Sequence, residues 1–281
     1  MPDIDYETEY DNRARVPEHP EIFARWTRDA ELFRAEALKS GRAELGMSYG
    51  DTPRQYLDLF LPAADESAPL AVFIHGGWWR SLDPSFYSHV ARGPNALGVG
   101  VAVVGYDLCP TVSIADIIEQ MRRACAFLWQ RFGRRMLVYG HSAGGHLSAA
   151  MVGTDWVSLY PKAPADLIPA GYSISCVFDL APLVGISVNQ DLRLDAAKAR
   201  GVSDVAFQKK RGLAVTDMTK SAWVYRKLRN FRAGIEAGIS CFKRAYGAGR
   251  CTWRGLDHFK AYVWSAVVAH NLVLFARLKP A

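Results

Sequence analysis

The chain has 281 residues, of which 50% are hydrophobic and 22% charged, so its composition is that of a globular protein with enough apolar material for a large core. No charged and then apolar segment opens the sequence, which argues against a secretory signal, and we expect a cytoplasmic protein. The five cysteines are an odd number without disulfide or zinc-site spacing, so no disulfide framework, metal or cofactor is predicted.

The net charge of +6 is unevenly distributed along the chain. Residues 1–200 carry 19 Lys and Arg against 24 Asp and Glu, whereas residues 201–281 carry 15 against 4. This break indicates two regions of different origin with a boundary near residue 200. A strongly basic region is typical of nucleic-acid contact or of a solvated face.

The periodicity of residues 1–200 predicts strands alternating with helices. In chain order, we predict a helix over Glu21–Lys39, a half-buried strand over Gln55–Leu61, a buried strand over Leu70–Ile74, a helix over Pro84–Leu97, a buried strand over Val99–Val104, a helix over Ile114–Phe132, a strand beginning at Met136 and a strand over Ser173–Phe178. Continuous apolar runs mark strands that are covered on both faces. The order predicts an α/β fold, a mainly parallel sheet with helices on both faces. Ligand sites in such sheets lie at the carboxyl ends of the strands.

The sequence MLVYGHSAGGHLSA, residues 136–149, places a serine at the apex of a predicted strand, turn and helix. Gly140 and Gly144 lie two positions either side of Ser142, where a strained turn leaves no room for side chains. The hydroxyl would then lie at a helix N-terminus, and the N–H of Ala143 would be free to bind an oxyanion. A glycine-rich surface turn with a chance serine is the alternative, but the flanking strand and helix favour a nucleophile elbow.

A second glycine motif, HGGWW, occupies residues 75–79, directly after a predicted buried strand. Two glycines at this place let backbone N–H groups point into a pocket. Taken alone, the motif could be a simple turn. Together with the elbow it predicts that Gly76, Gly77 or Trp78 supplies the remaining donors of an oxyanion hole.

With both motifs in place, residues 1–200 resemble bacterial α/β-hydrolases of the kynurenine formamidase (arylformamidase) and carboxylesterase type. The matching segments are DNRAR at 11–15, HGGWWRSLD at 75–83, YDLCP at 106–110, GHSAGG at 140–145 and VFDLAPL at 177–183. The resemblance implies Ser142 as nucleophile and hydrolysis of a small acyl ester or an N-formyl aromatic amide. It implies a framework position, without a catalytic role, for His141.

A serine hydrolase also needs a histidine base that is held in place by a carboxylate. In this fold the acid and then the histidine follow the serine along the chain, so both are expected beyond residue 200. Asp217 and His258 occur in that order and are the candidates for acid and base. His270 falls within an apolar helix predicted over Ala261–Phe275, which is too short to span a membrane, and is assigned a structural role.

From about Val202 the chain resembles instead the C-terminal end of DDE-type insertion-sequence transposases. An Arg-x3-Glu-x6-Lys motif falls at Arg232, Glu236 and Lys243, with the carboxylate and the lysine two turns apart on one helix face. A basic amphipathic helix with an incidental glutamate is the alternative. One carboxylate cannot hold a two-metal site, so no DNA strand transfer is expected.

These resemblances predict a chimera, a C-terminally truncated α/β-hydrolase domain over residues 1–200 followed by a basic, mostly helical transposase fragment over residues 201–281. Three functions stay open. The chain could be a hydrolase impaired by loss of its native acid and histidine, or a working esterase or formamidase whose tail rebuilds the triad. Alternatively, it is a non-catalytic product whose basic tail contacts nucleic acid weakly and in a salt-sensitive way. The truncation would also leave the strand at 173–178 at the sheet edge, which predicts marginal stability.

Overall fold

The computed structural model describes residues 4–62 and 68–195. The helices are α1 (Tyr6–Tyr10), α2 (His19–Lys39), α3 (Arg92–Ala96), α4 (Ile114–Phe132), α5 (Ala143–Val152), α6 (Trp156–Leu159) and α7 (Asn189–Leu192), with 3-10 helices at Pro84–Ala91 and Ala181–Gly185. The strands are β1 (Ala43–Ser48), β2 (Tyr56–Phe60), β3 (Leu70–Ile74), β4 (Gly100–Val104), β5 (Met136–His141) and β6 (Gly171–Ile174). Within these described ranges no helix is both long and apolar enough to cross a membrane.

The six strands form one sheet in the order β1-β2-β4-β3-β5-β6. The four strands β4, β3, β5 and β6 run parallel, while β2 is antiparallel to both β1 and β4. Every residue of β3 and β4 is buried, as expected for strands covered on both faces. The predicted mainly parallel sheet is therefore confirmed. Among the described strands, β1 and β6 are the outer two.

Helices cover both faces of this sheet. On one face, α2 and the 3-10 helix at Pro84–Ala91 pack against side chains of β2, β3 and β4. The rings of Phe33 and Phe60 lie 5.2 Å apart there, and those of Phe73 and Tyr87 lie 5.4 Å apart. Because side chains alternate along a strand, the neighbouring buried residues point to the opposite face. There α5 contacts β3, β5 and β6, and α4 packs against α5.

The helix predicted over Ile114–Phe132 is confirmed at both ends, because the sequence caps it. The Ser113 hydroxyl accepts from the N–H of Asp116, and the Asp116 carboxylate accepts from the N–H of Ser113. At the other end, Gly133 adopts a left-handed conformation with φ 65°, which a glycine accepts without strain. The apolar face of this helix is buried against the rest of the fold.

Two predicted elements differ from the structure, and one strand was not predicted. The helix predicted over Pro84–Leu97 is divided into a 3-10 helix and then α3. The strand β1 was not predicted, because its residues follow a helical segment without a clear alternation. The strand predicted over Ser173–Phe178 is β6, which lies at Gly171–Ile174. It ends there because Ser175 has a positive φ of 48°.

Asp58, the polar residue inside β2, is buried. The half-buried strand predicted over these residues would instead expose its side chain. The Asp58 side chain is 1% exposed, and its partner Arg34 in α2 is 25% exposed. Arg34 donates to the carboxylate at 2.5 Å, and the N–H of Gly46 donates to the other oxygen at 2.9 Å. The Arg34 guanidinium also donates to the Ser88 hydroxyl at 3.2 Å. A charge taken out of water is tolerated here because it is paired and hydrogen-bonded.

We expect Arg34→Ala to lower the free energy of unfolding by about 3 kcal/mol, because the Asp58 carboxylate would stay buried without its cation. Urea-induced unfolding of the purified chain measures this change.

Arg15→Ala is the matched control, since Arg15 pairs with Glu9 at 2.7 Å and both side chains are more than half exposed. Loss of this surface pair should cost less than about 1 kcal/mol. Equal destabilisation by the two substitutions would contradict the structural importance of the buried pair.

Candidate active site

Ser142 lies at the turn between β5 and α5, so the predicted strand, turn and helix are confirmed. Its backbone has φ 54° and ψ −117°, a conformation that is rare for a residue with a side chain. Its N–H donates to the carbonyl of Ile174 at the end of β6, at 2.8 Å. Its carbonyl accepts from Gly145 and His146 in the first turn of α5. The serine is therefore held at the carboxyl edge of the sheet by both neighbouring elements.

The glycines of the elbow are required by close backbone contacts. A Cβ atom at Gly140 would lie 2.3 Å from the carbonyl oxygen of Gly144. A Cβ at Gly144 would lie 2.0 Å from the carbonyl oxygen of Ile74 at the end of β3. At Gly145 it would lie 2.4 Å from the hydroxyl of Ser173. The helix α5 can approach the sheet this closely because these residues have no side chain.

The HGGWW loop lies directly against the elbow. A Cβ at Gly76 would lie 3.2 Å from the Cβ of Ser142. The next three residues all have positive φ, which is 110° at Gly77 and 55° at both Trp78 and Trp79. The carbonyl of Gly77 then accepts from two backbone N–H groups and one hydroxyl of the following turn, which closes the loop.

The N–H groups of the predicted oxyanion donors are left without acceptors by the fold. Within the part of the chain that the structure describes, no carbonyl or side-chain oxygen accepts from the N–H of Gly76, Gly77, Trp78 or Ala143. The N–H of Ala143 belongs to the first turn of α5, where it has no partner inside the helix. The loop and the helix start thus present unpaired donors next to Ser142, an arrangement suited to a developing negative charge.

His75 orients this loop, a role that the sequence analysis did not assign. Its Nδ1 donates to the carbonyl of Gly76 at 2.7 Å, and its ring stacks on Tyr106 with centroids 4.2 Å apart. Burial lowers the pKa of His75 to about 4, so the ring is neutral near pH 7. The C=O of Gly76 and the N–H of Gly77 point in opposite directions across their trans peptide. The hydrogen bond that fixes the Gly76 C=O therefore also fixes the direction of the Gly77 N–H.

Neither of the other histidines of the elbow makes a side-chain hydrogen bond with Ser142. Burial lowers the pKa of His141, and that of His146 to about 4. The His146 ring meets Trp79 edge to face, with centroids 5.4 Å apart. Among the described residues, no side chain hydrogen-bonds to the Ser142 hydroxyl, so none acts there as an obvious base.

The remaining predicted site residues lie outside the described residues. These are the candidate acid and base, Asp217 and His258, the transposase-like positions Arg232, Glu236 and Lys243, and His270. The transposase resemblance and the division of the chain near residue 200 stay predictions.

Two segments that the sequence did not connect with the site border the HGGWW loop. The carboxylate of Glu7 in α1 accepts from the N–H of Ser187 at 2.7 Å and from its hydroxyl at 2.5 Å. Arg80, which follows the loop, donates to Asp191 in α7 at 2.6 Å. Hydrogen bonds thus join α1 to the segment at 187 and α7 to the loop.

Comparison with known proteins agrees with this geometry. Residues 57–163 match the model of the BD-FAE family. A kynurenine formamidase from Danio rerio is 31% identical over 196 residues, which cover 65% of this chain and 66% of that protein. A kynurenine formamidase from Salmo salar is 32% identical over 153 residues, which cover 53% of this chain and 51% of that protein. The matched parts therefore span between half and two thirds of the length of these relatives.

A solved structure matches over a larger part of the chain. The crystal structure of a "putative thioesterase" from Silicibacter sp. TM1040 has 33% sequence identity and a TM-score of 0.65, and the match covers 80% of this chain and 87% of that one. Together with the mainly parallel sheet and the serine at the turn from β5 to α5, this likeness shows that the chain belongs to the α/β-hydrolase family.

Proposed function

We propose that this protein is a serine hydrolase of the arylformamidase and carboxylesterase type that cleaves a small acyl ester or an N-formyl aromatic amide. The observation that carries the proposal is the strained position of Ser142 beside unpaired backbone donors. The likeness to two proteins named kynurenine formamidase supports the formamide as one of the two substrate classes. We also propose that the substrate is a small molecule and that the protein is cytoplasmic.

In the proposed reaction, the Ser142 hydroxyl oxygen attacks the substrate carbonyl carbon and loses its proton to a base. The carbonyl oxygen becomes an oxyanion, which accepts from the N–H of Ala143 and from those of Gly77 and Trp78. The positive end of α5 adds to this stabilisation. Collapse of the intermediate expels the alcohol or amine, which takes up a proton, and water then cleaves the acyl-enzyme to release the acid. One such donor typically contributes about 10²–10³ in kcat.

Among the described residues, no side chain is placed to accept the proton of Ser142, and we propose that turnover is impaired for that reason. The five described histidines are His19, His75, His89, His141 and His146, and the side chain of none of them hydrogen-bonds to Ser142. His258 with Asp217 could serve as base and acid if the tail rebuilt a triad. Without them, the oxyanion hole and substrate binding alone would leave about 10³–10⁴-fold acceleration over water.

We expect a fluorophosphonate probe to label Ser142 slowly, because among the described residues no side chain is placed to deprotonate its hydroxyl. Intact-mass measurements over time give the labelling rate, and Ser142→Ala should abolish labelling entirely.

His258→Ala is the informative companion variant for this measurement. Rapid labelling that is lost in both Ser142→Ala and His258→Ala would contradict impairment and would support a triad completed by the tail. Labelling that persists in Ser142→Ala would contradict the assignment of the nucleophile.

We expect His75→Leu to slow phosphonate labelling about tenfold, because the Gly76 carbonyl would lose its donor and the Gly77 N–H its fixed direction. His75→Asn should label nearly as the parent does, since its amide can donate from a similar position. Thermal unfolding of both variants controls for folding. Equal labelling by His75→Leu and His75→Asn would show that the histidine has a packing role alone.

A second candidate function rests on charge, since residues 201–281 carry 15 Lys and Arg against 4 Asp and Glu. In this alternative the protein is a non-catalytic chimera whose basic tail binds nucleic acid weakly. DNA affinity should then fall about tenfold or more between about 50 and 200 mM salt, because bound counterions are released. A fluorescence-anisotropy titration measures it, with a chain ending at Arg200 as control. Affinity that does not change with salt would exclude this function.

A further inference from the structure

We propose that Tyr106 is a positioning residue, which anchors the HGGWW loop to the end of β4 and thereby fixes the direction of the Gly77 N–H. The inference deepens the proposed function and rests on it, because this N–H is one of the proposed oxyanion donors. Tyr106 acts in this account through the loop and not on the substrate itself.

His75 by itself binds the loop only to the loop. Its Nδ1 donates to the carbonyl of Gly76, the next residue in the chain, at 2.7 Å. A bond between neighbours sets these two groups relative to each other, but it does not set their direction relative to Ser142. Gly76 has no side chain, so the backbone can rotate freely on both sides of its Cα. A fixed direction therefore requires a second bond, to a residue of another element.

Tyr106 supplies this second bond. Its hydroxyl donates to the carbonyl of His75 at 2.8 Å, and its ring stacks on the imidazole with centroids 4.2 Å apart and planes inclined by 10°. The hydroxyl fixes the peptide plane between His75 and Gly76, and the imidazole fixes the next plane, between Gly76 and Gly77. Because the planes on both sides of Gly76 are held, neither of its backbone dihedrals is free, and the Gly77 N–H keeps one direction.

The sheet brings Tyr106 to this position. β3 and β4 are parallel neighbours in which Ile74 is paired with Val104, so the residues that follow them leave the same edge of the sheet. Tyr106 is fully buried, and its carbonyl accepts from the Arg54 side chain at 3.0 Å. Arg54 also donates to the carbonyl of Leu82, which follows the loop, at 2.5 Å. The tyrosine is thus held by its backbone as well as by its ring, and its hydroxyl is a fixed donor.

The hydroxyl of Tyr106 keeps its proton. Burial raises the pKa of this phenol well above its ordinary value, so the oxygen is a donor throughout the neutral pH range. The backbone carbonyl of His75 can only accept, which defines the direction of the bond. Phenylalanine in place of Tyr106 would preserve the stacked ring and remove this hydrogen bond alone.

The bond can be observed directly, because His75 and Gly76 form the only His–Gly pair in the sequence. In full-length protein that contains ¹³C-carbonyl histidine and ¹⁵N-glycine, a single NMR signal correlates the His75 carbonyl carbon with the Gly76 amide. We expect Tyr106→Phe to move this carbonyl signal upfield, because a carbonyl that loses its donor is less deshielded. A carbonyl signal that does not move would overturn the proposal.

The same substitution should slow phosphonate labelling of Ser142 about tenfold, since a misdirected donor stabilises the developing charge less well. The loss should lie in the maximal labelling rate, whereas the probe concentration that gives half of this rate should stay the same, because the donor acts on the transition state. A purely structural role would leave the maximal rate of the folded protein unchanged. An unchanged maximal rate in Tyr106→Phe would therefore overturn the proposal.

Tyr49→Phe is the matched control. Tyr49 is 8% exposed and donates to the carbonyl of Gly105 at 2.5 Å, so this substitution also removes a buried bond from a phenol to a backbone carbonyl. Gly105 follows β4 and is not part of the HGGWW loop. Tyr49→Phe should lower the temperature of thermal unfolding about as much as Tyr106→Phe does, but leave the carbonyl signal and the labelling rate unchanged. Equal slowing of labelling by both substitutions would overturn the proposal.

The two measurements separate a failure of this inference from a failure of the proposed function. The carbonyl signal does not depend on any reaction of Ser142. An upfield signal in Tyr106→Phe combined with labelling that persists in Ser142→Ala would support the anchoring by Tyr106 and refute the proposed nucleophile.

Discussion

The site depends on one backbone contact, the approach of α5 to the end of β3. Gly144 lies so close to the Ile74 carbonyl that a single added carbon would collide with it at 2.0 Å. This contact places the first turn of α5 beside the residues that follow β3, which are those of the HGGWW loop. The proposed nucleophile Ser142 and the proposed donors of the HGGWW loop come from segments more than sixty positions apart, and the glycine is what allows them to meet. The same packing also fixes the helix N-terminus behind the serine.

The donors around Ser142 are held by neutral groups. His75 binds the Gly76 carbonyl as an uncharged imidazole, and Tyr106 both stacks on that imidazole and donates to the His75 carbonyl at 2.8 Å. A neutral support has a physical advantage, because a charged imidazole at this depth would require a counterion. The loop is thereby stiffened without a buried anionic counterion, which would repel the proposed oxyanion. Preorganised dipoles of this kind need no rearrangement when the reaction proceeds.

Local signals in the sequence were sufficient to predict the central strands and the elbow. The apolar run at Leu70–Ile74 became a strand with the predicted bounds, and the glycines around Ser142 have the steric role that their spacing indicated. Features that arise from long-range contacts could not be predicted in this way. Asp58 is buried because Arg34 reaches it from another element, and the alternating pattern of β2 carries no sign of that partner.

The contacts of the N-terminal helix α1 illustrate the same limit. Glu7 and Ser187 are 180 positions apart, so no periodicity or motif in either segment indicates their contact. Tyr10 belongs to a helix too short to give a clear amphipathic pattern. The end of β6 contacts the elbow in the same way, since the carbonyl of Ile174 accepts from the N–H of Ser142. Sequence reasoning found the residues that make the turn but missed those that surround it.

The buried imidazoles make the active-site end of the fold sensitive to acid. Burial lowers the pKa of both His75 and His146 to about 4, whereas an unfolded histidine titrates near about 6.5. Between these two pKa values the histidines are protonated in the unfolded chain but not in the folded chain. The free energy of unfolding therefore decreases as the pH falls from about 6.5 towards about 4. His75 precedes Gly76, which lies against Ser142, and the N–H of His146 donates to the Ser142 carbonyl, so proton uptake at mildly acidic pH would loosen the position of Ser142 together with the fold.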